Sequence, residues 1–219
     1  PTAAAAPTAA AAPTAAAAPT AVSAAARGFR GGMVLGCDRS KSRLAQVGKL
    51  AERLGLGSRV ALAALDATHA AEKLAAGGYP TQWDRIVLDP PCSSLGQRPR
   101  LSWATVTTSE LEGCAEYQRR LMSAAVGLLK PGGVMVYSTC TLSPDENEGL
   151  IAYALREHPE LSLEPPEDPA LVLGDPGWRG CGLSAAECEL VQRFDPSSAR
   201  GEGSIGFFLA RLRKAQAAA

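Results

Sequence analysis

Residues 83–94 read WDRIVLDPPCSS. An apolar run with strand character stops at Asp89, and two prolines carry the chain directly into Cys92. Pro90 and Pro91 fix their own φ and remove two N–H donors, so the side chains on either side are held with little entropy left to lose. Residues 132–149, GGVMVYSTCTLSPDENEG, repeat the arrangement, with a second apolar run ending at Cys140. A helix start follows it: Ser143 as N-cap, Pro144 at the first helical position, and Glu146 three residues after the cap. Two cysteines at two strand ends pose one question, which is whether the thiols meet.

The same pattern recurs outward from these stretches. GGMVLGCD (31–38) reads as a strand ending at Asp38, and RVALAALDA (59–67) as another closing on Asp66. Between them, KSRLAQVGKLAERLGLG (41–57) places Leu44, Val47, Leu50, Ala51 and Leu54 at helical spacing, with Gly55 and Gly57 as stops. A short alanine-rich helix is expected around Ala70–Ala75. A longer one runs from about Glu110 to Lys130, with Leu111, Cys114, Tyr117, Leu121, Ala125 and Leu128 on one face and KPGG ending it. The helix that starts at Ser143 runs to about His158. A Pro- and Gly-rich stretch follows, and GFFLARLRK (206–214) reads as a late strand.

Strands alternating with helices, the strands almost continuously apolar, predict an α/β fold with a parallel sheet covered by helices. Functional residues of such sheets lie at the carboxyl ends of the strands. Any single acid there is more often a loop or cap residue, but Asp38, Asp66, Asp89 and Cys140 together are expected to face one crevice.

The 219 residues suffice for one domain with a core, or one domain and a tail. Lys+Arg and Asp+Glu are both 22, so nucleic-acid binding by overall charge is not expected. The six cysteines form no C-x-x-C pair and read as reduced intracellular thiols, giving a soluble cytoplasmic chain. Two histidines leave little material for a zinc site or a Ser-His-Asp triad, and no metal is expected. No apolar run approaches the roughly 20 residues of a membrane span. Residues 1–26 carry a six-residue repeat, PTAAAA, whose prolines interrupt helix and which offers no large side chain to a core. It is expected to be a disordered tail or a misplaced start, and the absence of an initial methionine favours a fragment. The domain then spans 27–219, as a monomer.

In the expected crevice, Asp38 suits ribose hydroxyls and Asp66 a second polar anchor such as an adenine amino group. Cys140 lies a few residues before a helix N-terminus, whose dipole favours thiolate, and a thiol so placed is a nucleophile candidate. Free cysteine is usually a small buried hydrophobe; that reading is kept for Cys37 and Cys114, and Cys181 and Cys188 are undecided.

DPPCSSLGQRPR (89–100) and STCTLSPDENEG (138–149) resemble the fourth and sixth motifs of the Nop/Sun, RsmB-type RNA cytosine-5 methyltransferases. The family pattern is Asp-Ala-Pro-Cys-Ser, then Ser-Thr-Cys followed by Glu-Asn-Glu; here Pro90 replaces the alanine. The stretch RGCGLSAAECELVQRFDPSS (179–198) looks most like one branch, the sixth Nop/Sun member, a tRNA methyltransferase with an RNA-binding PUA domain. The resemblance runs from about Gly31 to the end. It implies a Rossmann-like class I methyltransferase sheet, S-adenosylmethionine as cofactor and RNA, specifically tRNA, as partner. It assigns attack on cytosine C6 to Cys140, product release to Cys92, the cytosine edge and methionine end of the cofactor to Asp89, and ribose and adenine to Asp38 and Asp66. Arg98 and Arg100 are candidate phosphate contacts.

This chain also departs from the family. The Ala-Pro-Gly-Gly-Lys cofactor loop belongs some twenty residues before Asp38, where the repeat stands. The first strand, central between those ending at Asp38 and Asp89, is expected to be lacking, and cofactor binding to be weak. An inactive methyltransferase-derived RNA-binding or scaffold fragment is the alternative. An amino-methyltransferase is a weaker one, since Cys92 occupies the place of its stacking aromatic.

Overall fold

The computed structural model describes residues 32–97 and 106–216. Strand β1 (Val34–Asp38) leads into helix α1 (Lys41–Arg53), β2 (Val60–Ala64), α2 (Ala70–Ala76) and β3 (Trp83–Leu88). Then come α3 (Thr108–Leu128), β4 (Leu129–Thr139), α4 (Glu148–Glu157), β5 (Leu161–Leu163), α5 (Ala185–Cys188), β6 (Val191–Phe194) and β7 (Phe207–Lys214). The α/β architecture and the four strands ending near Asp38, Asp66, Asp89 and Cys140 stand as expected. The PTAAAA repeat and the expected position of the cofactor loop lie outside the described residues.

The sheet is mixed rather than parallel throughout. β3 and β4 are parallel, with Ile86 opposite Met135 and Leu88 opposite Tyr137. β7 lies antiparallel to β4, and β5 and β6 share its other edge, both antiparallel. The late strand reverses direction because a loop, not a crossover helix, connects β6 to it. β5 and β6 fall in the stretch read as irregular; with three and four residues, they are too short to show periodicity.

Among the described residues, β1 and β2 pair in parallel as a separate two-stranded sheet, and no strand joins β1 to β3. The stretch in which that first strand would fall, and with it the expectation that it is lacking, lies outside the described residues. Val34 and Val87 are exposed, and so are Val47, Leu50 and Leu54 of the apolar stripe on α1, of which only Leu44 and Ala51 are buried. A small apolar cluster (Ala63, Ala70, Leu74, Tyr79 and Leu128) connects this half to α3 and to Trp83 and Ile86 of β3. The main core is larger: Met122, Met135, Tyr137, Leu150, Ile151, Phe208 and Leu212 are completely buried between α3, α4 and the five-stranded sheet. No described helix is long and apolar enough to cross a membrane.

Local signals set the helix boundaries. α3 opens two residues earlier than its apolar face suggests, because Thr107 and Glu110 form a capping box: Glu110 N donates to Thr107 Oγ1 (3.2 Å) and Thr107 N to Glu110 Oε2 (2.7 Å). It closes at Leu128, since helical backbone is disfavoured for the residue before Pro131, and KPGG becomes an irregular stretch within β4, between the Trp83–Leu129 and Arg85–Val134 pairings.

One buried ion pair ties the C-terminal strands to the segment after Cys140. Arg193 of β6 and Glu148 at the start of α4 are 1% and 0% exposed and pair in bidentate fashion, Nε to Oε1 at 2.9 Å and Nη2 to Oε2 at 2.5 Å. The guanidinium also donates to Leu142 O (3.1 Å) and lies 3.9 Å from the Trp178 ring centroid, while Trp178 N donates to Glu148 Oε1 (2.8 Å). Removing one partner strands the other charge in the core. Glu148→Ala is therefore expected to lower unfolding stability by about 3–5 kcal/mol, read from urea denaturation; a change below ~1 kcal/mol contradicts this account of the pair.

Candidate active site

Because β3 and β4 are parallel, their carboxyl ends open on the same side, and the two cysteine motifs emerge together. Cys92 Sγ and Cys140 Sγ are 3.5 Å apart. The thiols meet. The turn between Cys92 and Gln97 is tied to the second motif through its backbone: Gly96 N donates to Cys140 O (3.0 Å), and Gly206 N to Gly96 O (2.9 Å). A Cβ on Gly96 would stand 2.1 Å from Gly206 O, so this approach admits only glycine. Ser94 holds φ at +58°, an unusual conformation for serine, with its Oγ 3.9 Å from Cys92 Sγ and 3.8 Å from Cys140 Sγ.

The two sulfurs are not equivalent. Burial, reinforced by the neighbouring Cys140 thiol and opposed by the Ser94 N–H, pushes the Cys92 thiol up to about 11. Cys140 Sγ accepts a hydrogen bond from the exposed Gln97 side chain, Nε2 at 3.3 Å. The helix expected to follow Cys140 begins as a three-residue 3-10 turn, Pro144–Glu146, and becomes α-helical only at Glu148. Ser143 makes no side-chain cap there, so the expected helix start is only partly realised.

Underneath the thiols lies a buried polar network. Gln118 of α3 donates to Pro91 O (2.9 Å) and to Glu146 Oε2 (2.8 Å), and Tyr137 OH donates to Glu146 O (2.7 Å). Thr139 Oγ1 donates to Asn147 Oδ1 (2.6 Å), and Asn147 Nδ2 to Thr141 O (3.0 Å). Burial first, then the acidic charge of Glu146, Cys92 and Asp89, holds the Tyr137 phenol well above its usual range, so it remains an O–H donor. None of these residues was singled out in the sequence as a site residue apart from the two cysteines and Asp89. Tyr137 sits in an apolar run, and Gln118 sits among the charged residues of an amphipathic helix (AEYQRRL, 115–121), where it reads as an ordinary polar position.

The acids are spread along the same edge. Asp89 is exposed beyond β3 and has no hydrogen-bond or ion-pair partner among the described residues. Asp38 accepts from Ser40 N (2.7 Å) and pairs with Arg43 Nη1 (3.0 Å); these contacts, the backbone N–H foremost, hold its carboxyl below the usual range. Asp66 is both an N-cap and a strand-end acid. Its Oδ1 accepts from Thr68 N (3.0 Å), Thr68 Oγ1 (2.8 Å) and Tyr117 OH (3.3 Å), and the Thr68 N–H is the main reason its carboxyl also lies low. Among the described residues, its Oδ2 has an ion-pair contact with Arg39 Nη1, at 3.9 Å, and no hydrogen bond.

A cavity of about 450 Å³ runs from the Pro91–Cys92–Ser93 turn to Glu110, Cys114 and Tyr117 of α3. Through Tyr117 it adjoins Asp66. Cys114 and Tyr117, expected on a packed helix face, instead line this space: Cys114 is half-buried and Tyr117 turns its hydroxyl to Asp66. Cys37 is exposed rather than buried, β1 being paired on one edge only among the described residues. Cys188 is buried and Cys181 is half-buried, each apart from the thiol pair. Arg98 and Arg100 lie outside the described residues.

The profile of the 16S rRNA methyltransferase RsmB/F family matches residues 10–213. The chain is 38% identical over 213 residues to the mouse (Mus musculus) tRNA (cytosine(72)-C(5))-methyltransferase NSUN6, with 84% of this chain and 44% of that protein covered. It is 39% identical over 183 residues to the tRNA (cytosine(72)-C(5))-methyltransferase of Pyrococcus horikoshii, covering 84% of this chain and 41% of that one. The crystal structure of NSun6 from Pyrococcus horikoshii with SFG superposes with a TM-score of 0.69 at 37% identity, over 84% of this chain and 42% of that one. The chain thus spans less than half the length of these relatives. With the family's profile covering nearly all of it and the thiol pair in place, the chain belongs to the RsmB/F methyltransferase family.

Proposed function

We propose that this domain methylates cytosine at C5 in RNA, specifically in tRNA, with S-adenosylmethionine as methyl donor. The observation that carries the reading is the 3.5 Å contact between Cys92 and Cys140, two thiols from motifs 48 residues apart. C5 of cytosine is a poor nucleophile until a thiolate adds to C6, and that chemistry uses one thiol to attack and a second group to undo the adduct. A scaffold has no use for two thiols held in contact, nor does an amino-methyltransferase. The tRNA assignment draws on the named activity of the mouse and archaeal relatives.

Cys140 is the attacking sulfur. Cys92 holds its proton at neutral pH, and Cys140 is the sulfur to which the Gln97 amide donates. The C6–S bond forms as the C5=C6 electron pair moves to C5. The cofactor supplies a methyl group to that carbon. Release then requires loss of the C5 proton: the C5–H electron pair re-forms C5=C6 as the C6–S bond breaks and its pair leaves with the Cys140 sulfur. Cys92 serves both ends: its thiol proton passes to Cys140 Sγ as the C6–S bond breaks, and its sulfur takes the C5 proton. Asp89, open to solvent, receives the polar edge of the cytosine, which must leave its stack to reach the thiols.

The residues on β1 and β2 fit the adenosine half of the cofactor. Asp38 and Asp66 lie at the carboxyl ends of adjacent parallel strands, both with low-lying carboxyls that remain acceptors at neutral pH. Asp66 Oδ2, without a hydrogen bond, suits an exocyclic amine; Asp38 would take ribose hydroxyls in exchange for Arg43. SFG, bound in the archaeal relative, is an S-adenosylmethionine analogue.

In the full-length protein, Cys92→Ala is expected to accumulate a covalent RNA adduct on denaturing gels, while Cys140→Ala forms none; an adduct in the latter would reverse the two roles. The elevated Cys92 thiol sets a second expectation. Its alkylation by iodoacetamide, followed by mass spectrometry, should rise about tenfold per pH unit from pH ~8 to ~10. A plateau below pH ~9 would mean that Cys92 is itself the thiolate.

A further inference from the structure

We propose that Glu146 is the positioning residue of the thiol pair: it fastens the Cys92 turn against the strand end that carries Cys140. Its place in the sequence suggests a different job, that of closing a capping box with Ser143. The structure gives that N–H to another acceptor, since Ser143 N donates to Thr141 Oγ1 (3.2 Å). Glu146, 0% exposed, reaches instead into the other motif. Its Oε2 accepts from Ser93 N (3.0 Å) and Gln118 Nε2 (2.8 Å), and its Oε1 from Ser93 Oγ (2.6 Å). Gln118 holds Pro91 O at the same time (2.9 Å), so the residues immediately before and after Cys92 are both fastened.

The turn needs an outside fastener. Pro90 and Pro91 supply no N–H, and Ser94 sits at positive φ, so the turn has few backbone bonds of its own. A buried acid can serve because every donor aimed at it is satisfied, whereas losing one partner leaves the rest unpaired. The role is one of shape and hydrogen bonding, and an amide can therefore replace the acid. In Glu146→Gln the amide oxygen takes the place of Oε2. The NH₂ then donates to Ser93 Oγ, whose own hydrogen turns to Thr141 Oγ1, 2.7 Å away. Glu146→Ala has no such substitute.

The importance of this spacing for catalysis rests on the thiol mechanism proposed above; the spacing itself does not, and it can be measured without substrate or cofactor. Diamide takes two electrons and two protons from a pair of adjacent thiols, joining them as a disulfide and becoming the hydrazine. Formation of the Cys92–Cys140 disulfide, timed by mass spectrometry of the linked peptides, is expected to slow at least about tenfold in Glu146→Ala and to stay within about twofold of wild type in Glu146→Gln. Circular dichroism and urea unfolding identify which variants remain folded. If Glu146→Ala does not fold, Gln118→Leu cuts the tie to Pro91 and is expected to slow closure at least about threefold. A folded Glu146→Ala that closes at the wild-type rate overturns the proposal, as does a Glu146→Gln as slow as Ala. In the full-length protein, kcat for methyl transfer should fall in the Ala variant with KM unchanged, and recover in the Gln variant. If disulfide closure responds as expected but kcat does not, the fastening role stands and the two-thiol mechanism fails.

Discussion

The site depends on the parallel pairing of β3 with β4. Leu88 stands opposite Tyr137, so the chain leaves both strands at nearly the same level and on the same side of the sheet. Cys92 and Cys140 lie only a few residues beyond that register, which is why two distant motifs can place their sulfurs in contact. An antiparallel pairing would have sent them to opposite ends. β7 then supports β4 from the other edge, with Phe208 edge-on to Tyr137, and makes β4 an interior strand whose end cannot shift without disturbing the core.

What the pairing brings near, the polar network holds in place. Gln118, Glu146 and Asn147 are all completely buried and hydrogen-bonded, directly below a turn that contains a serine at positive φ. Buried polar groups earn no net stability comparable to apolar packing, but once all are paired they admit few alternative arrangements. That is a useful property under two thiols whose chemistry depends on their separation. The apolar core fixes the strands; the polar layer fixes the turn. Arg193 and Glu148 extend the same logic outward, anchoring the segment after Cys140 to β6.

The strand ends were legible because each is an apolar run closed by an acid or a cysteine, and a parallel β-α-β pattern says where such ends point. The two thiols were legible as a pair only through their motif context. Glu146 was misread for a physical reason: a Glu three residues after a serine carries the signature of a capping box, and nothing local shows that Thr141 has already taken the N–H in question. Gln118 and Tyr117 were hidden similarly, each lying within an amphipathic helix whose periodicity describes the apolar face and is silent on polar tips. Short strands such as β5 and β6 owe their form to β7, a partner distant in sequence, so no window of sequence contains the cause.

The two halves of the crevice differ in how firmly they are built. The thiol half rests on a five-stranded sheet and a continuous core, whereas Asp38 and Asp66 rest on two paired strands, one helix with an exposed apolar stripe, and a small cluster beneath. Local opening free energy follows such differences in buried contact, so among the described residues the half carrying the two acids is the softer one. A ligand that bridges the acids and the turn beside Cys92 would bind the ordered form alone and, by mass action, stabilise the weaker half in proportion to its affinity. Asp66, held through Tyr117 to the same helix that supplies Gln118, is the point where such a ligand would couple the two. The cavity between Tyr117 and the Cys92 turn is thus the joint across which the crevice is completed.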